Sequence, residues 1–157
     1  ISEVTDAQGG ALWWYVWRNA FYDVVTQTAP PVAIGMDLYH IASGHQTDFV
    51  MMRAGLPIGV ARLSYYPAAS TAHLESVAFI REARQPRLLR ALIQQLMAHA
   101  HARGATLIFS SGDAERDAYR ELGFIDCGSI VWYAEKANDT HKDIHHGGMA
   151  QPLLTVR

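Results

Sequence analysis

In the segment Ala72 to Ile80, His73 and Glu75 set an imidazole and a carboxylate two residues apart. In an extended chain alternate residues share a face, so the two stand side by side, with Val77 and Phe79 following them and Leu74 and Ala78 on the other face. Such a pair can take a proton from a bound group, directly or through water. A strand carboxylate also serves as a solvated or paired structural group, which is the competing reading. Eight histidines invite a metal reading, above all in the run His141 to His146. Its spacing matches no closed zinc pattern and the single Cys127 offers no thiolate pair, so a solvated loop that touches an acceptor is the preferred reading and no metal is expected. His99 and His101, two apart on a helix, cannot share a face.

The elements that would hold these groups follow from period and punctuation. Ala11 to Gln27 is helical in pattern, with Trp13, Trp17, Phe21 and Val24 in one stripe, and Pro30-Pro31 ends it. Met36 to Ala42 fits either an edge strand or a second helical turn. Asp48 to Arg53 and Ile58 to Tyr66 flank Ala54-Gly55-Leu56-Pro57 and form a hairpin. Pro86 opens a long helix whose stripe of Leu88, Leu89, Leu92, Leu96 and Met97 runs to Arg103-Gly104. Thr106 to Ser110 is a short buried-type strand. Asp113 to Gly123 is then a short helix, capped by Asp113 and closed by a left-handed Gly123, with Tyr119 and Leu122 on one face and Phe124 starting buried sheet. Gly128 to Glu135 and Met149 to Val156 read as a final strand pair around a long loop, Lys136 to Gly148.

The chain has 157 residues, half of them hydrophobic, which fits one domain, 1–157, with a proper core. A net charge of -2 gives no reason to expect nucleic acid as a partner. Ala11 to Val25 is interrupted by Arg18, Asn19 and Asp23 and is shorter than the ~20 residues of a membrane span, so no membrane partner is expected. No signal-peptide pattern opens the sequence, and one cysteine suits a reducing compartment, so a cytoplasmic setting is expected. No internal repeat appears.

The ending Tyr119-Arg-Glu-Leu-Gly-Phe124 resembles the last helix of the GNAT superfamily of N-acetyltransferases, and the order of elements from Asp48 onward is similar to that superfamily. The stretch Val77 to Leu92 matches it in phase, at Arg84, and in Arg90-Ala91-Leu92. The resemblance implies an α/β fold with a mixed, mostly antiparallel sheet, splayed central strands and flanking helices. It implies transfer of an acetyl group from acetyl-CoA to a primary amine on a small molecule or protein. Glu75, with His73 as second choice, would be the base, and Tyr119 the acid for the departing thiolate. The backbone amide near Phe79 and Ile80 would polarise the thioester carbonyl.

The family's phosphate loop is Gln/Arg-x-x-Gly-x-Gly/Ala, whose backbone donors cradle pyrophosphate at a helix N-terminus. Here the cofactor-binding set implied is Val77, Phe79, Ile80, Arg84, Gln85, Arg87, Leu88, Leu89 and Arg90, with Arg87 and Leu89 standing where glycines are expected. Pro86 lacks an amide hydrogen, while Arg84, Arg87 and Arg90 could grip phosphates through charge or simply solvate a helix start. His73, His145 and His146 would line the acceptor pocket. Three functions therefore stand open: an N-acetyltransferase, a catalytically silent GNAT-fold protein (a pseudoenzyme) used in assembly, or a domain that binds a different acyl donor or nucleotide through the arginines. Surplus rings at Trp14 and Tyr22 would face a partner in a homo- or hetero-oligomer built through the first helix.

Overall fold

The computed structural model describes residues 1–22, 29–111 and 116–128. The chain divides into two units, Ile1–Phe124 and Ile125–Arg157, and every regular element described falls in the first. The Gly128 to Glu135 and Met149 to Val156 strands, the loop between them with His141, His145 and His146, and the Asp113 cap lie wholly or almost wholly outside the described residues.

Five strands form one sheet in sequential order: β1 (Ser2–Glu3), β2 (Gln46–Arg53), β3 (Leu56–Tyr66), β4 (Thr71–Phe79) and β5 (Leu107–Ser110). β1 to β4 pair antiparallel, and the last pair, β4 with β5, is parallel. A parallel neighbour requires a crossover, supplied by helix α3 (Pro86–Ala102). Helices α1 (Ala7–Tyr22) and α2 (Pro31–Ala42) lead into β2, and α4 (Arg116–Glu121) follows β5.

Burial splits the core into two layers. Phe49, Leu63, Leu74, Leu92, Ile93, Leu96 and Tyr119 share one cluster, on the sheet face covered by α3 and α4. Val4, Trp13, Val16, Val50, Val60 and Ala78 make the other, under α1. Leu92, Ile93, Leu96 and Ala100 are the buried stripe of α3, spaced as its sequence dictates.

Three expectations are corrected and one open alternative is decided. Helix α1 starts at Ala7, not Ala11, because the Asp6 carboxylate accepts from the Gly9 amide at 2.8 Å and caps a helix that tolerates two glycines. The ambiguous Met36 segment is helical: Pro31 opens α2 at its first turn instead of only stopping α1. Phe21, expected in the core stripe, is 55% exposed. Residues 124–128 carry no strand, so Phe124 ends the α4 turn rather than starting sheet.

Trp14 is also accounted for within the chain. Its Nε1 donates to Asp37 Oδ2 of α2 at 2.9 Å and its ring packs edge-on to Trp13 and Trp17, so the half-buried indole joins α1 to α2.

Candidate active site

β4 and β5 pair only over Thr71↔Leu107 to Leu74↔Ser110, while β4 continues to Phe79. The strands therefore part, and Glu75–Phe79 border a notch on the β5 side. On the other side, Ile80 donates its amide to Ile58 O at 3.1 Å. Antiparallel pairing alternates along a strand, so Ala78 also points to β3 while Val77 and Phe79 turn their amides and carbonyls to the notch. Of the two amides expected to meet a carbonyl, Ile80's is thus already committed and Phe79's faces the opening. The Phe79 ring lies over Gly59, where a Cβ would stand 2.5 Å from a ring carbon, so only glycine admits this packing.

The apex of the notch is built by a bulge. Arg62 pairs with Ser76 and Leu63 with Leu74, which leaves Glu75 as the extra residue of β4. The bulge switches the strand's phase: Ala72 and Leu74 before it, and Val77 and Phe79 after it, all face the α3 cluster. His73 therefore lies on the opposite face from Val77 and Phe79, contrary to a simple period of two. It stays beside Glu75, with Nδ1 3.9 Å from Oε1.

Two further contacts fix the imidazole. Its ring stacks on Phe109, the register partner across β5, at 4.4 Å between centroids and 5° between planes. Phe109 is itself stacked by Tyr66, 6.4 Å between ring centroids. His73 Nε2 lies 3.2 Å from Ser111 Oγ. Burial lowers the His73 pKa, against the smaller upward pull of Glu75, so the ring is held neutral further into acid than an ordinary histidine.

Tyr119 sits on the other face. It is buried in the α3 cluster, against which Val77, Ile80, Leu88 and Leu89 also pack. Its position comes from the way α4 ends. Gly123 has φ +90°, its amide donates to Arg120 O, and the Phe124 amide reaches back to Tyr119 O, both at 3.0 Å. That is a Schellman closure, and its accompanying apolar contact is Tyr119 against Phe124, 5.2 Å between ring centroids.

These features are those of an open sheet parted beside a crossover helix, and comparison with known proteins gives them a family. The model of the acetyltransferase (GNAT) family matches residues 13–124. The chain belongs to the GNAT acetyltransferase family. Similar solved structures include the aminoglycoside N-acetyltransferase AAC(6')-Iy in complex with a CoA-containing bisubstrate analogue, 18% identical, TM-score 0.67, covering 86% of this chain and 96% of that one. An aminoglycoside acetyltransferase from an uncultured soil metagenomic sample, in complex with sisomicin, is 11% identical with TM-score 0.70, covering 87% and 95%. Ribosomal-protein-alanine N-acetyltransferase from Brucella melitensis is 17% identical with TM-score 0.65, covering 82% and 86%. At these identities the likeness shows the fold. No curated protein sequence matches the chain.

In this GNAT chain the start of α3 departs most from the expected loop. Pro86 has no amide hydrogen, and the amides of Leu88 and Leu89 both donate to Gln85 O, at 2.9 and 3.1 Å. Arg87 is left as the first-turn amide with no backbone acceptor among the described residues. The arginines have partners within the chain. Arg84 donates to Ala20 O at 2.6 Å and, through Nε, to Phe79 O at 3.4 Å. Arg87 Nε donates to Gln85 Oε1 at 3.0 Å, and Arg90 pairs with Glu121.

Of the residues expected at the site, the fold thus gathers Val77, Ile80, Leu88, Leu89 and Tyr119 in one cluster and sets His73 with Glu75 on the far side of the sheet. Sequence reasoning missed Phe109 and Ser111. The available signal was that a short strand before Gly112 must pair with β4, but the parallel register that brings Ser111 to His73 is not written in the local pattern.

Proposed function

We propose that this protein is an N-acetyltransferase that moves the acetyl group of acetyl-CoA to a primary amine. The observation that carries the reading is the notch between β4 and β5, with the Val77 and Phe79 amides open to it and a carboxylate at its apex. A thioester lying along β4 would meet these amides, which match the developing negative charge on its oxygen. Glu75 takes the proton of the incoming ammonium, directly or through water, and Tyr119 returns one to the leaving thiolate. The thioester end fits the residues present; the pyrophosphate end must rely on Arg87's amide and on arginines released from their internal partners. Small polyamines are the first acceptors to screen, because the similar solved structures include aminoglycoside acetyltransferases. We read residues 1–157 as one GNAT-like domain working in the cytoplasm.

A second reading, a catalytically silent GNAT-fold protein, is favoured by the closed start of α3, where glycine is missing and Arg84, Arg87 and Arg90 already have partners. Calorimetric titration with acetyl-CoA at low and moderate salt separates the two. Salt-tolerant micromolar binding supports the enzyme, and no binding supports the silent protein. With binding in hand, Glu75→Gln and Tyr119→Phe should each lower kcat for amine acetylation by about 10²-fold and leave acetyl-CoA affinity unchanged. Unchanged turnover in either variant removes that residue's role.

A further inference from the structure

The contacts at the notch apex have more in them than a base for an amine. Ser111 is the first residue of the chain beyond the last β5 pair, and Glu75 is the first beyond it on β4. Both flank the point where the strands part. Ser111 is exposed, and its Oγ is 3.2 Å from His73 Nε2. The other ring nitrogen faces Glu75 at 3.9 Å, and the ring is clamped flat on Phe109. A hydroxyl within hydrogen-bond reach of one imidazole nitrogen, a carboxylate 3.9 Å from the other and a stacked ring plane approach the arrangement by which a serine is activated as a nucleophile.

We propose that Ser111 is a nucleophile of this protein, with His73 as its base and Glu75 orienting that base, and that it gives the chain a second activity: hydrolysis of acyl thioesters and activated esters through an acyl-serine. The activity extends the reading above by using the same notch, but needs no amine acceptor. The Ser111 O–H proton passes to His73 Nε2 as Oγ bonds to the acyl carbon. The carbon–sulfur bond breaks, and the imidazolium returns that proton to the thiolate. Water then adds to the acyl-serine with His73 again taking its proton, the carbon–Oγ bond breaks, and the imidazolium gives that proton to Oγ, which regenerates Ser111 and neutral His73. The balance is thioester plus water to carboxylic acid plus thiol, with no oxidant or metal required.

Several features support each role. Burial keeps His73 neutral, the form that accepts a proton. Glu75, near enough to stabilise the imidazolium as it forms, carries the charge that opposes that burial. The open-edge amides of Val77 and Phe79 lie further along β4, on the side from which a thioester would enter.

The test uses the full chain and two probes that need neither CoA nor amine: a fluorophosphonate and p-nitrophenyl acetate. Intact mass and peptide mapping should show one phosphonyl group at Ser111 in the wild type. Ser111→Ala, which alters an exposed side chain, should lose the label and the nitrophenolate burst while its melting temperature is unchanged. His73→Gln should slow labelling by about 10²-fold or more. A wild type that is not labelled, a label on another residue, or an undiminished burst in Ser111→Ala overturns the proposal. Because neither probe reports on amine acetylation, a negative result here leaves the acetyltransferase reading standing. Labelling without any acetyl-CoA binding would leave the nucleophile standing and remove that reading.

Discussion

His73 carries much of the chemistry proposed for the site, and its environment makes a prediction about stability. Its pKa is lowered from 6.5, first by burial and against Glu75, the charged group that faces it. The folded protein therefore binds fewer protons than the unfolded chain between the lowered value and 6.5. Stability from this site is whole above pH 6.5 and falls as the pH drops through that window. Chemical denaturation at pH 5 and 7.5 should show a smaller acid loss in His73→Gln than in the wild type; an equal loss would assign the acid sensitivity elsewhere. Tyr119 and its Leu-Gly-Phe ending were legible from sequence because a Schellman closure is local. The same residues supply its glycine, its hydrogen bonds and its apolar contact. Ser111 was not legible, since nothing within a few residues marks a serine that meets a histidine 38 positions away.

At the scale of elements, helices α3 and α4 and the β2–β3 hairpin were readable because period and punctuation agree in them. The two-residue turn Ala54-Gly55, both at positive φ, closes that hairpin. The bulge at Glu75 was not readable. It arises from how β4 fits β3, and it reverses which side of the sheet the later residues face. β3 also shapes the notch through Gly59. Gly59→Ala would place a methyl 2.5 Å from the Phe79 ring and force it out of its place. Overpacking of this kind costs about 1–3 kcal/mol, so the melting temperature should drop. A shifted Phe79 should also weaken acetyl-CoA binding; a variant as stable as the wild type would show that the ring yields without strain.

At the scale of the whole molecule, α1 and α2 are tied to the sheet by a buried charge network. Arg62 of β3 grips Asp48 of β2 with two bonds, at 2.7 and 2.8 Å, and reaches Asp37 of α2 at 2.9 Å. Its guanidinium lies 4.4 Å over the Trp13 ring of α1, and Trp13 donates to Ala61 O at 3.1 Å. Burial pushes the Asp48 carboxyl up, and Arg62 pulls it back. With Asp48 only 2% exposed, Arg62→Ala would strand a buried carboxylate at a cost of about 3–5 kcal/mol. Urea unfolding should read that loss, and a change under about 1 kcal/mol would mean that Gln46 and water replace the arginine.

The sequence by itself determined the family, the α3 crossover, the glycine stop that sets Tyr119, and the loss of glycine from the start of α3. Each depends on residues within a turn or two of one another, where period, capping and φ preference are decided by local sterics and hydrogen bonds. Only the tertiary structure decided that Glu75 sits on a bulge, that His73 meets Phe109 and Ser111, that the arginines are held by Ala20, Gln85 and Glu121, and that Trp14 bonds to Asp37. Strand register and ion pairing join residues far apart in the chain. They are chosen by the packing of the whole, so no short stretch of sequence specifies them.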